Sequence, residues 1–216
     1  MKKLITFLLA LIMLAGINAC KKKTDDSNDL GGDSSPMAAV GTVVTSSSAT
    51  ISGVSNLTAT VVSQSGGVSY YNGSGIITNS AFKNILSNFS EITIHGDSVS
   101  VTGFKVKQTL DGIECQSDIG PGIIVKYASN VGDSYQVGST GRTRTVVSKS
   151  STDDYYYGFF LIKVMQVEEL TPSLKSIGVS KVTYWANHKF GLVGIQYNFT
   201  DGSSVNFPVY CSTSNE

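Results

Sequence analysis

Two residue runs near the C-terminus constrain the fold more than any other feature of the chain. Val193, Ile195, Tyr197 and Phe199 alternate with Gly194, Gln196 and Asn198, and after Asp201 and Gly202 the alternation resumes at Val205, Phe207 and Val209. A period of two puts one side of each run on a core and the other toward water, and Asp-Gly between two such runs signals a hairpin. The same pattern recurs upstream. Ile92 and Ile94 alternate with Thr93 and His95, Gly96 and Asp97 turn the chain, and Val99 and Val101 alternate with Ser98, Ser100 and Thr102. At Gly103 the phase slips, because Phe104 and Val106 take the even positions and Lys105 and Lys107 the odd ones, which predicts a bulge. Asp111 and Gly112, between Leu110 and Ile113, have the composition of a tight type I′ turn, as do Asp201 and Gly202.

Two segments depart from alternation. From Phe159 to Met165 both faces are mostly apolar, with Phe159, Leu161 and Met165 on one side and Phe160, Ile162 and Val164 on the other, so this strand is expected to be covered twice. Phe82, Ile85, Leu86 and Phe89 recur at helical spacing after the capping residues Asn79 and Ser80 and predict one short amphipathic helix. The expected fold class is mainly β: an antiparallel sheet forming a closed or half-open barrel that cradles that helix.

The N-terminus carries an address. Lys2 and Lys3 precede an apolar run from Leu4 to Ile17, about fourteen residues, short of the roughly twenty that cross a bilayer. A basic start, a compact apolar middle and small residues at the end fit a signal peptide. Ile17, Asn18, Ala19 and Cys20 resemble the lipobox of bacterial lipoproteins. That resemblance implies cleavage after residue 19, acylation of Cys20 by palmitate-like chains, and anchoring without a membrane span. The competing reading is ordinary signal-peptide cleavage that leaves Cys20 unmodified. Lys21, Lys22 and Lys23 would face lipid headgroups, followed by Asp25, Asp26, Asp29 and Asp33. A lysine rather than an aspartate directly after the cysteine implies the outer membrane. The acidic residues beyond it resemble the surface-export signal of Bacteroidetes lipoproteins, so both the periplasmic face and the cell surface are expected locations.

Residues 20–55 are rich in Ser, Thr, Gly and Asp and read as a tether, because so little apolar area does not offset the entropy of ordering. Val40, Val43, Val44 and Ile51 leave room for one strand near its end. Residues 56–216 form the expected single β-rich domain. The order of short strands, an early helix and a closing hairpin is similar to the half-open barrels of Lol-type lipid carriers and receptors. The stretch Ser180–Val209, with Trp185, Asn187, His188, Lys189, Phe190 and Gly191, resembles uncharacterised Bacteroidetes outer-membrane lipoproteins. The second resemblance implies a location and no activity.

Sixteen basic and sixteen acidic side chains balance, so no nucleic-acid partner is expected. Cys115 and Cys211 would lie in an oxidising compartment and are the one possible intrachain pair once Cys20 is acylated. Each shares a face with apolar neighbours, so both thiols point inward. A disulfide, which needs α-carbons within about 7 Å, and two separately buried thiols are the alternatives.

No enzyme motif is present. His95 and His188 lie outside any metal-ligand spacing, no serine sits in a Gly-x-Ser-x-Gly elbow, and Gly138–Arg142 lacks the lysine of a phosphate loop. Glu168 and Glu169 are adjacent, so on a strand they point to opposite faces and read as a solvated strand end. No cofactor or metal is expected. Trp185, Asn187, His188 and Lys189 combine an aromatic ring with hydrogen-bonding groups and form a ligand-binding candidate, against the reading of a well-made turn. Tyr155 and Tyr157 are a second candidate surface, against edge-strand packing. Asp97, Ser98 and Val99 match the acceptor pattern for O-glycosylation of exported Bacteroidetes proteins, which makes Ser98 a modification candidate.

Three functions fit these residues. The first is a non-enzymatic binding or assembly module for a protein, glycan or small ligand, which predicts a filled barrel. The second is a carrier or receptor for a lipid or other hydrophobic molecule, which predicts an apolar cavity. The third, a hydrolase of unfamiliar type, lacks a nameable nucleophile, base and stabiliser.

Overall fold

The computed structural model describes residues 30–46, 53–118, 120–137, 142–170 and 178–213. The expected signal peptide, Cys20 and Ile51 lie outside the described residues. The fold is mainly β, with a large antiparallel sheet curled into a half-barrel. This sheet runs from β16 (Tyr210–Ser212) through β1 (Val43–Ser46), β2 (Val54–Ser65), β3 (Val68–Ile77), β5 (Ser98–Gln108) and β6 (Gly112–Cys115) to β7 (Gly122–Lys126). Strand β4 (Ile92–His95) pairs with the first half of β5, on the flank that β6 takes farther along. A second sheet has the order β15 (Ser204–Pro208), β14 (Gly191–Phe199), β13 (Val179–Asn187), β12 (Met165–Leu170), β9 (Arg142–Lys149), β8 (Ser134–Val137). Strands β10 (Tyr155–Tyr157) and β11 (Phe160–Ile162) form a separate hairpin.

The two sheets share one core. Val54, Ile77, Ile113 and Val125 of the half-barrel cluster with Val146, Val167, Val179 and Val182 of the second sheet. At one seam the chain passes from β15 to β16 through Val209, whose N–H donates to the Val193 carbonyl. At the other, between β7 and β8, side chains replace the ladder. The Lys126 N–H donates to the Tyr135 hydroxyl at 3.2 Å, and Lys149 Nζ donates to the carbonyls of Tyr127 and Ser129.

The expected helix is α1 (Ser80–Leu86), with Asn79 Oδ1 accepting the Phe82 N–H at 2.9 Å. Phe82 packs on Tyr197 and Phe207 of the second sheet. The hairpin β4–β5 closes at His95 and Ser98 as its alternation predicts. The bulge at Gly103 is present. Tyr71 pairs with Phe104 and Gly73 with Val101, so two residues of β5 oppose Asn72, and Gly103 takes φ +72° while its N–H donates to Asn72 Oδ1.

Four expectations are corrected. Asp111 and Gly112 do not form the two central positions of a turn. Thr109 and Gly112 bond each other across Leu110 and Asp111, and Gly112 is a strand residue whose missing Cβ makes room for the Val125 carbonyl. The final hairpin closes at Phe199 and Ser203 around three residues, with Gly202 at φ +86° and Asp201 Oδ1 accepting the Ser203 N–H.

The third correction concerns Phe159–Met165, which is not one doubly covered strand. Gly158, at φ +63°, turns the chain, so Phe159 and its neighbours fall on the β10–β11 hairpin with Phe159, Phe160 and Leu161 exposed. The fourth concerns the tether. Leu30 is buried with its N–H on Glu114 Oε2, Ser35 N–H donates to the Gln108 carbonyl, and β1 pairs with both β2 and β16. Residues 30–46 therefore belong to the fold, and the strand for which Val43 and Val44 leave room is β1, held between β2 and β16.

Candidate functional site: an apolar cavity with a buried ion cluster

Between the half-barrel and the second sheet lies a cavity of ≈ 290 Å³. Val44, Ala59, Phe104, Val106 and Cys115 face it from the half-barrel, and Val182, Tyr184, Leu192, Ile195 and Tyr197 from the second sheet. Phe82, Ile85, Leu86 and Phe89 close it from α1 and the turn after it. Register explains the wall. Val44 pairs with Ala59 on one side and Cys211 on the other, and directly paired residues share a sheet face, so all three side chains point inward.

The polar part of the lining is concentrated. Glu169 is 1% exposed and pairs with Arg144 Nε at 2.9 Å and with Arg142 Nη1 at 2.9 Å, the latter off the hydrogen-bond axis. Arg144 is fully buried and gives three more donors to carbonyls at the start of β7, Gly120 at 2.6 Å and Gly122 and Ile123 at 3.0 Å. Its guanidinium also lies over the Tyr184 ring. Burial alone would lower its pKa, but Tyr184 and Glu169 outweigh that and hold it above the ordinary value. Arg144 thus fastens the two sheets where no ladder joins them, and Arg142 and Glu169 reach the cavity wall beside it.

The glutamate reading from sequence is corrected here. Glu168 and Glu169 do point to opposite faces. Glu168 pairs with Lys181 at 2.9 Å near the surface, whereas Glu169 is a core residue rather than a solvated strand end. The overlooked signal was phase: Arg142 and Arg144 alternate in step with buried Val146, and Glu169 in step with buried Met165 and Val167.

Both cysteines line the cavity, and no disulfide joins Cys115 to Cys211. Burial pushes each thiol up to about 11. The thiols point inward but do not cross-link, since β6 and β16 sit far apart in strand order.

The surface candidates take other roles. Asn187 is buried, with Nδ2 donating to the Lys163 carbonyl and Oδ1 accepting from the N–H groups of Lys189 and Phe190. It builds the turn that leaves His188 and Lys189 exposed. Trp185 packs on Tyr155, so its ring is partly occupied. Tyr157 is 7% exposed, stacks on Phe190 at 4.8 Å and accepts the Cys211 N–H on its hydroxyl. Tyr155 is half-buried and donates to the Val193 carbonyl. The exposed ring of that run is Tyr156. His95 and Ser98 are exposed at opposite ends of the β4–β5 turn, where Asp97 pairs with Lys83 at 2.7 Å.

Among the described residues no group of three His, Cys, Asp or Glu side chains is placed to hold a metal ion, and no helix is long and apolar enough to cross a membrane. No family model, curated protein or solved structure matches the chain.

Proposed function

We propose that this protein is a lipid-anchored binding protein that holds a hydrophobic molecule in the space between its half-barrel and its second sheet. The cavity carries this reading. A close-packed interior leaves few voids larger than a water molecule, and an apolar void forfeits packing contacts that an occupant restores. A void of ≈ 290 Å³ lined by Leu, Ile, Val and Phe is therefore a poor way to build a core and a good way to bind. Its size stands at the lower end of small-molecule sites, about 300 Å³. The ion cluster at one part of the wall offers orientation to a ligand with a polar end, while the largely aliphatic and aromatic remainder offers affinity.

The sequence-level location completes the reading. Lipidation at Cys20 would hold the domain at the outer membrane, within reach of lipids and of hydrophobic compounds crossing the envelope. No residue is assigned a catalytic role, because the buried carboxylate is neutralised by two guanidiniums and neither histidine approaches it.

Native mass spectrometry of the full mature chain, exported to a bacterial periplasm without acylation, tests the proposal. The expected spectrum shows an additional lipid-sized mass that leaves on denaturation and is lost when Ile195→Trp fills the cavity. A bare mass, together with no uptake of an environment-sensitive naphthylamine probe, would overturn it.

A further inference from the structure

The β10–β11 hairpin stands apart from both sheets and presents apolar side chains to solvent. Tyr156 is 80% exposed, Phe159 106%, Phe160 50% and Leu161 42%. They occupy a single tip. Tyr156 pairs across the hairpin with Leu161 and Tyr157 with Phe160, and Phe159 sits in the turn after Gly158. The tip is held in place from below. Tyr157 stacks on Phe190, Phe160 lies 5.8 Å from the same ring, and Ile162 is buried beneath. An exposed apolar cluster on a braced support is an interaction surface, since Tyr156 and Phe159 leave most of their apolar area in water.

We infer that this hairpin tip docks into the lipid bilayer to which the chain is anchored. The inference rests on the anchoring at Cys20 proposed above. Two observations favour a bilayer as the occupant. The tip carries two phenylalanines, a tyrosine and a leucine, the side chains that settle at a membrane interface. Four charged residues, Asp153, Asp154, Lys163 and Lys189, are exposed around its base and sum to zero, which suits a headgroup layer and gives no charge pattern for a protein partner.

The path of the chain supplies the geometry. The described residues begin at Leu30, and Ser35 bonds the Gln108 carbonyl. The Gln108 side chain abuts the backbone of Gly191, the neighbour of Phe190. Ser35, on the segment leading toward the anchor, and Gly191, beside the Phe190 that supports the hairpin, therefore both meet Gln108, which brings that segment to the hairpin's end of the molecule. The ten residues from Cys20 to Leu30 span at most about 35 Å when fully extended, so an anchored domain stays close enough for that end to meet the membrane. Insertion of the tip fixes the domain's orientation relative to the bilayer, which acyl chains alone do not.

The test uses the acylated full chain in vesicles of phosphatidylethanolamine and phosphatidylglycerol brominated near the headgroup end of the acyl chains. Flotation reports the anchor. Phe159→Trp and, separately, Leu161→Trp report the tip, against the unsubstituted chain whose one tryptophan is Trp185. The expected result is that the chain floats and that both introduced tryptophans shift to the blue and lose intensity to the bromine. A chain that floats with neither tryptophan quenched would overturn the hairpin proposal and leave the anchor standing. Failure to float would overturn both. A blue shift without quenching, accompanied by a doubled mass in native spectra, would assign the tip to contact with a second copy and overturn the bilayer reading.

Discussion

Arg144 and Glu169 meet at 2.9 Å with the arginine fully buried and the glutamate 1% exposed, and each sits on the inner face of the second sheet. The pair is accompanied by three carbonyl acceptors from the half-barrel, so it acts as a clasp between layers. Removing Glu169 leaves the buried Arg144 without its carboxylate, and removing Arg144 leaves Glu169 with Arg142 alone and the half-barrel carbonyls without a donor. Arg144→Met and Glu169→Gln are each expected to destabilise the fold by about 3–5 kcal/mol. The double variant should cost less than the sum, with a coupling of about 0.5–3 kcal/mol in a urea-denaturation cycle. Strict additivity would show that the pair is not coupled.

Asn187 is expected to matter for stability and not for ligand affinity. Its side chain closes three hydrogen bonds in a buried turn, and Asn187→Ala strands those partners at a cost of about 1–3 kcal/mol. His188→Ala, at the next residue but exposed, should leave the urea midpoint unchanged. Equal effects of the two substitutions would contradict this assignment.

Gly112 is required for close approach. A methyl group there would collide with the Val125 carbonyl, so Gly112→Ala is expected to destabilise by about 1–3 kcal/mol through overpacking. Asp111→Asn, in the turn itself, should be nearly neutral. The reverse order in thermal melts would restore the turn reading.

The domain should lose stability at alkaline pH. Burial raises Cys115 and Cys211 from 9.0 to about 11 and Tyr184 from 10.0 to about 12. Between the unfolded and folded values the native state holds more protons than the unfolded state, so stability falls as pH rises from about 9 toward 12. Urea midpoints should decline over that window, less steeply in Cys115→Val. The same burial shields the thiols: iodoacetamide should label neither in the native protein and both after denaturation without reductant. Labelling that requires reductant would indicate a disulfide.

Membrane attachment should depend on one thiol. The natural chain is expected to incorporate radiolabelled palmitate in a bacterial host and to partition with the membrane fraction. Cys20→Ala should abolish incorporation, and a labelled Cys20→Ala chain would refute acylation at that residue.

The sequence by itself determined the local elements. Period-two alternation located β4, β5, β14 and β15, a phase slip at Gly103 located the bulge, and helical spacing after Asn79 located α1, because each of these is set by which neighbours along the chain share a face. Even there, turn composition misled. Asp111 and Gly112 look like a turn pair, yet Gly112 is needed by a strand that arrives from another part of the chain. The run after Gly158 misled in the same way, since apolar residues on two faces signal burial only if something comes to cover them, and Phe159 at the hairpin tip stays fully exposed.

Tertiary structure decided the rest. Residues 30–46 are polar enough to read as tether, but β1 is held between β2 and β16 by backbone bonds that composition does not encode. Glu169 and Arg144 are separated by 25 residues, and their burial depends on β9 and β12 lying side by side with the half-barrel carbonyls above them. The cavity is the clearest case. No single segment contains it, because an enclosed volume is a property of the distance between two sheets, which arises only when both have curled and α1 has settled between them.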